Sequence, residues 1–270
     1  MGDFLMMTPA LKALSKEMKV NLLLPEKSKA TFENLDFINK LYSIEEKIDQ
    51  KKFDCVFDLN DYEFNYEQIY HPTITKPKQE IFADALGVKI NSVNPIIKLT
   101  KEEENWINQY LKKKNPDAKK IILCAVQSSN PSRDWSIKKW EELIKRLKKL
   151  DYKIIVADPN INWEDQDIVF FNHHTLREFF ALASKADFII TLDSGLLHIG
   201  AAFNKLSLGI FGPTDPKIRC IYDNSHYIHK NLDCEPCWYS RCVDISCMKL
   251  LTVDQVESSF LQMLENGIKS

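Results

Sequence analysis

The sequence predicts an α/β chain built on parallel sheets. Three observations carry that expectation. Short apolar runs rich in Ile, Val and Leu recur along the chain and alternate with longer segments of helical periodicity. Those runs are almost unbroken by polar residues, the pattern of strands covered on both faces. One stretch, residues 186–215 (ADFIITLDSGLLHIGAAFNKLSLGIFGPTD), contains a whole unit of strand, turn, helix, strand and turn.

In the N-terminal half, Thr8 opens a helix with Pro9 in its first turn, a favoured place for proline. Leu11, Leu14 and Met18 space its apolar stripe. Residues 20–24 read as a buried strand ended by Pro25. A helix near 29–35, a strand near 38–43 and a strand over 53–59 (FDCVFDL) follow. Residues 77–86 are helical and stop at Gly87, a C-terminal cap. Residues 91–98 are irregular and contain Pro95. Residues 101–114 form a charged helix with Trp106, Ile107, Tyr110 and Leu111 at core spacing. The domain boundary is placed near 99–116, where Asn115-Pro116 is a turn signal, giving domains 1–100 and 116–270.

In the C-terminal half, strand 121–126 runs into an irregular segment that ends at Arg133, Asp134 and Trp135. Ser136 caps helix 137–150, which buries Trp140, Leu143, Ile144 and Leu147. Strands follow at 152–157 and 167–171, then an amphipathic helix at 175–185. In the stretch already quoted, strand 187–192 is broken by Asp193-Ser194-Gly195. A short, nearly all-apolar helix occupies 196–203, and strand 206–211 stops at Gly212-Pro213. Thr252 caps a last helix, 253–265.

Open parallel sheets bind ligands beyond the carboxyl ends of their strands, where both of these turns lie. The first turn also opens a helix. The backbone N–H groups of Ser194, Gly195 and Leu196 lack partners there, and the positive end of the helix dipole stands behind them. That is an anion site suited to phosphate, and Gly195 allows close approach. His198 lies one turn on from Ser194, on the same face. Residue types alone favour reading Asp193 as only an N-cap and His198 as a satisfied core histidine.

The formal net charge of −2 makes no electrostatic case for nucleic acid or for strong membrane adhesion. No apolar run approaches a membrane span, and no signal-peptide pattern is read. The expectation is a cytoplasmic protein with at most peripheral contact at the inner membrane face. In that compartment, seven cysteines read as thiols or metal ligands rather than disulfides. Cys55 and Cys124 lie in apolar strands and are expected in the core. Cys234, Cys237, Cys242 and Cys247 have the spacing Cys-x2-Cys-x4-Cys-x4-Cys. Four thiolates so placed suit a tetrahedral zinc or iron ion of structural role. Free thiols packed under a loop are the alternative.

DSGLLHIGAA followed by FGPTDP resembles the D-[ST]-G-x-x-H-x-A-A … FGPTDP signature of glycosyltransferase family 9, the ADP-heptose:lipopolysaccharide heptosyltransferases. MGDFLMMTPALKAL is similar to that family's G-D-x-[LI]-x-x-T-P-A-L segment, and SRDWSIKKWEEL to its K-x-W-P-x-x-x-W-x-x-L segment. The cysteine segment is similar to a C-x-P-C … C … C-M run found in many members. The resemblance covers most of the chain and is strongest at residues 2–14, 120–147 and 186–252.

It implies a GT-B architecture: two Rossmann-like parallel-sheet domains facing across a cleft. The N-terminal domain would take the acceptor and the C-terminal domain the nucleotide sugar. The implied reaction is an inverting transfer of heptose from ADP-heptose, or a related nucleotide sugar, to a lipopolysaccharide core. Transfer to a protein, and a nucleotide-sugar binding protein with little turnover, are the rival readings. Asp3 maps to the family's proposed general base; by residue type alone it is an acidic residue near a helix start. Arg133 stands where the family has a lysine on the sugar-nucleotide phosphate, and Ser136 replaces the usual proline. Asp193 would bind sugar hydroxyls or hold the turn. Ser194, Gly195, Leu196 and Arg133 would take the diphosphate, with His198, Thr214 and Asp215 also on the donor side. No cofactor is implied for transfer. Family members carry an apolar strand ahead of the glycine matched by Gly2, so an open slot is expected between strands 20–24 and 53–59. Asp3 would then sit on a poorly anchored end.

Overall fold

The computed structural model describes residues 1–158, 161, 163, 165, 167–172, 175–238, 242 and 244–267. The chain divides into two compact units, Met1–Lys98 and Leu99–Ser270.

The first unit opens with α1 (Gly2–Leu14), which starts earlier than its proline suggests and carries Pro9 inside. Proline has no N–H, so the Leu5 carbonyl one turn back loses its helical donor. The Thr8 hydroxyl replaces it, donating to Leu5 O at 2.7 Å. The same Thr8 oxygen accepts the Ile96 N–H at 2.9 Å, tying α1 to the end of the unit. β1 (Val20–Leu24) pairs in parallel with β2 (Ile38–Ser43), and between them a 3-10 helix (Glu26–Thr31) forms in place of the helix expected near 29–35.

The strand expected over 53–59 does not form. Val56 is 60% exposed and Phe57 45%. Asp58 instead accepts the Asp61 N–H at 2.9 Å and caps α2 (Leu59–Tyr70), a helix with no buried residue. An apolar run becomes a strand only where a neighbour takes its backbone hydrogen bonds, and here none does among the described residues. Cys55 is exposed rather than in the core. The expected slot beside 20–24 thus lacks its second wall.

α3 (Lys78–Ala85) ends as expected at Gly87, whose φ of +66° allows the left-handed turn. Val88 N–H reaches Ala83 O at 3.0 Å and Gly87 N–H reaches Asp84 O at 3.1 Å, a Schellman cap.

The second unit begins with α4 (Lys101–Lys114), opened by a Thr100/Glu103 capping box. This helix was read from sequence as the boundary, but it clusters with the second unit. Its tie is Glu103, which accepts two bonds from Arg177, at 2.7 Å from Nε and 2.6 Å from Nη2. A six-stranded parallel sheet follows: β3 (Ile121–Ala125), β4 (Lys153–Val156), β5 (Val169–Phe170), β6 (Phe188–Leu192), β7 (Leu206–Phe211) and β8 (Ser225–His229). Helices α5 (Ile137–Leu147), α6 (Leu176–Lys185) and α7 (Gly195–Ala202) link these strands. Two short helices, α8 (Pro216–Arg219) and α9 (Ser246–Lys249), and the long α10 (Val253–Gly267) complete the unit. The core joins inner strand residues such as Ile122, Ile190 and Leu208 to Trp140 and Leu147 of α5 and to Phe260 of α10.

Burial acts to raise the Glu103 carboxyl's pKa, but the bonds from Arg177 and from the Thr100 N–H outweigh it and hold it below the ordinary value. A carboxyl depressed in the folded state contributes stability above its unfolded pKa and loses it as pH falls through the folded one. Arg177→Met should therefore destabilise the chain by about 1–3 kcal/mol at pH 7. The gap from wild type should narrow toward pH 3. Thermal melts of both proteins at the two pH values check this; an equal gap at both counts against the pairing.

Candidate functional site

The larger sheet has the order β5-β4-β3-β6-β7-β8. From β3 the chain winds one way through β4 to β5, and from β6 the other way through β7 to β8. β3 and β6 are therefore the pair at which the winding reverses. Crossovers diverge there, which leaves a crevice at the carboxyl ends of the two strands.

The segments leaving β3, β6 and β7 are tied together at that edge by one side chain. Asp193, directly after β6, is only 4% exposed. Its Oδ2 accepts the Thr214 hydroxyl at 2.8 Å, from the loop after β7. Arg133, from the segment after β3, places Nη1 3.3 Å from the same oxygen and donates to the Asp193 carbonyl, also at 3.3 Å. A buried carboxylate is stable only with such donors. The clasp therefore brings three of the sequence-predicted residues together.

Arg133 is itself held in a folded turn (Pro131–Arg133). Asn130 Oδ1 accepts the Ser132 N–H at 3.1 Å, and the Ser128 N–H donates to Asp134 Oδ1 at 2.8 Å. Trp135 follows, fully buried, with its indole N–H on Leu251 O at 3.0 Å. The Arg133 Nε is buried without a hydrogen-bond partner among the described residues. The guanidinium thus keeps donor capacity beyond what Asp193 uses.

Ser194 is the N-cap of α7, but its side chain does not cap. Its Oγ lies 2.9 Å from Thr191 Oγ1, and it makes no bond to a helix N–H. Within the first turn of α7 the Leu197 N–H donates to Ser194 O at 3.2 Å, while no side chain caps the N–H groups before it; Ser194 and Gly195 are half-buried and Leu196 is buried behind them. Asp215 accepts the Lys217 N–H at 2.8 Å and caps α8. His198 is 3% exposed and its Nδ1 lies 2.7 Å from the Tyr222 hydroxyl, the arrangement of a core histidine.

Among the described residues the cysteine segment is not assembled as a metal site. Cys234 is exposed, Cys237 and Cys242 are half-buried, and Cys247 is buried. Among the described residues no three His, Cys, Asp or Glu side chains converge as ligands of one ion. A tetrahedral site needs its thiolates together at about 2.3 Å from the metal. Residues 239, 240, 241 and 243 of this segment lie outside the described residues. What the segment does is pin a loop: the N–H groups of Cys237 and Trp238 both donate to Pro213 O, at 3.1 and 2.8 Å.

In the first unit, Asp3 lies in the first turn of α1 and pairs with Lys78 Nζ at 2.8 Å. Lys78 also pairs with Glu63 and stands 3.5 Å from Glu67, both on α2. The lysine side chain is 10% exposed and Glu63 14%, while Asp3 is 58% exposed. Burial pushes the Glu63 carboxyl's pKa up, and the neighbouring Glu67 adds to this against the pull of Lys78. Sequence reasoning missed this group. Its signal was the Glu63/Glu67 pair four apart on one helix, a repulsive spacing that calls for a cation.

Residues 58–245 match Glycosyltransferase family 9 (heptosyltransferase). The chain belongs to this family. A stretch of 100 residues is 29% identical to Lipooligosaccharide heptosyltransferase 2 of Campylobacter jejuni subsp. jejuni serotype O:2, covering 36% of this chain and 31% of that one. The chain thus spans less than a third of that curated relative. Solved structures are similar over nearly the whole chain, two of them as follows. The glycosyl transferase family 9 protein of Veillonella parvula DSM 2008 has a TM-score of 0.74 at 14% identity, covering 98% of this chain and 94% of that one. The Escherichia coli ADP-heptose LPS heptosyltransferase II has a TM-score of 0.68 at 13% identity, covering 98% and 95%. The fold class is GT-B, and the family is one of glycosyltransferases.

The family 9 chain should depend on its clasp for stability. Thr214→Val removes the donor to a buried carboxylate without changing volume and should cost about 1–3 kcal/mol, while Thr214→Ser should recover most of it. Urea unfolding of the three proteins measures the difference. Burial pushes the thiols of Cys124, Cys220 and Cys247 up to about 12. At pH 8 iodoacetamide should modify the exposed Cys55 and leave those three intact, as read by mass spectrometry of the native protein.

Proposed function

We propose that this chain is an inverting glycosyltransferase that moves a heptose from ADP-heptose to a lipopolysaccharide core acceptor. The observation that carries the reading is the Asp193 clasp, which holds Arg133 beside the uncapped start of α7 at the strand switch point. A diphosphate needs cationic donors and oriented N–H groups, and this edge supplies both.

In this reading the second unit binds the donor. The N–H groups of Ser194, Gly195 and Leu196 and the spare donors of Arg133 take the diphosphate oxygens. Asp193 shapes the turn, and Thr214 and Asp215 line the neighbouring strand end. The first unit binds the acceptor, with Asp3 as general base. An acceptor hydroxyl passes its proton to the Asp3 carboxylate as its oxygen bonds to the anomeric carbon. The bond from that carbon to ADP breaks on the opposite side, and the electron pair leaves with the diphosphate, inverting the centre. The developing negative charge is met by the α7 dipole and by Arg133.

Calorimetry with ADP-heptose tests the donor site. Gly195→Asp places a carboxylate against the diphosphate and should abolish measurable binding. Arg133→Gln should weaken it about tenfold or more, the worth of one charge-assisted contact. Unchanged affinity in both variants refutes the site. ADP release from ADP-heptose in the presence of lipopolysaccharide core tests the transfer.

A further inference from the structure

The group around Lys78 is more elaborate than a surface ion pair. One ammonium, itself almost fully covered, serves three carboxylates from two helices: Asp3 from α1, and Glu63 and Glu67 from α2. The Lys78 helix, α3, packs against both α1 and α2. Lys76, two residues before Lys78, is engaged with Asp84 and lies over the Tyr66 ring. Covering an ammonium has a large desolvation cost, so a mere surface contact does not account for the arrangement.

We infer that Lys78 is the positioning residue for Asp3. Resting on the reading of Asp3 as general base, the assignment adds what holds that base in place. Asp3 is the exposed end of the group, and its carboxylate meets Lys78 Nζ at 2.8 Å, which Glu63 and Glu67 hold from behind. The two glutamates have a second effect. An ammonium wholly given to one aspartate would depress that carboxyl's pKa by about 1–3 units and make it a poor base. Shared among three carboxylates, it orients Asp3 while leaving it able to accept a proton. Glu63, the closest and most covered of the glutamates, therefore sets how much of the cation Asp3 feels.

The two halves of this inference move Asp3 in opposite directions, which a merely structural role would not do. Removing the cation in Lys78→Gln should raise the pH at which Asp3 titrates. Removing an anion in Glu63→Gln should lower it. Carbon-13 carboxyl NMR reads both without turnover, with the Asp3 resonance assigned by its loss in Asp3→Asn. In transfer from ADP-heptose to lipopolysaccharide core, Lys78→Gln should lower kcat by about tenfold to a hundredfold, the cost of a misplaced base. KM for ADP-heptose should be unchanged, and Lys78→Arg should restore kcat to within a few-fold. Circular dichroism and thermal melts confirm that each variant is folded; if Lys78→Gln is not, Lys78→Arg and Glu63→Gln carry the titration. An Asp3 titration that neither Lys78 nor Glu63 variants move overturns the inference. So does a kcat within twofold of wild type in Lys78→Gln when Asp3→Asn is inactive, an outcome that leaves the base reading standing. Full activity of Asp3→Asn overturns the base reading and the inference with it.

Discussion

Burying a carboxylate without donors is among the most costly things a fold can do, and the second unit is arranged around avoiding it at Asp193. Thr214 and Arg133 are the donors, and they come from two different loops. Each loop leaves the carboxyl end of a different strand. Satisfying one side chain therefore sets the geometry of the whole sheet edge. It also explains why Arg133 is preceded by a turn with several hydrogen bonds of its own and followed by a buried tryptophan. An arginine on a loose loop would meet Asp193 only part of the time. The positive charge that compensates Asp193 inside the fold is the same charge that faces the start of α7, so stability and anion binding draw on one residue.

The first unit solves a related problem with different chemistry. Pro9 interrupts the backbone bonding of α1, and the Thr8 hydroxyl repairs it locally. That repair then does a second job, because the same oxygen receives the Ile96 N–H across the unit. At the other end of α1, Lys78 gathers three carboxylates. In both places a polar group that the core would otherwise reject becomes a tie between distant parts of the chain. The polar ties decide where α1 sits, while the apolar residues Leu5, Ala10 and Leu11 decide that it is buried at all.

Particular residues show where sequence reading succeeds. Strand 206–211 and helix 101–114 have the expected bounds, because the apolar run in one and the capping box in the other are local signals. Gly87 is legible for the same reason: the left-handed cap needs a residue without a Cβ. Residues 53–59 show the limit. FDCVFDL has strand composition, but a strand is a relation between segments, and Asp58 spends its side chain on capping α2 instead. The cysteines are not gathered into a ligand set among the described residues for a similar reason. Their spacing is a property of the sequence, whereas convergence on one point depends on how a loop folds, and here the segment is bonded to Pro213.

By itself the sequence determined the class of fold, the alternation of strand and helix in the second unit, the family signature, and the loops that carry Asp193, Ser194, Thr214 and Arg133. All of these follow from local periodicity, turn chemistry and residue type, which act over a few neighbours in the chain. Only the tertiary structure decided which of those residues meet. It placed Arg133 and Thr214 on Asp193, turned His198 to Tyr222, and brought Lys78 to Asp3 across 75 positions of sequence. Side-chain partners so far apart are chosen by packing and by the need to satisfy buried charge, and neither leaves a mark on local composition.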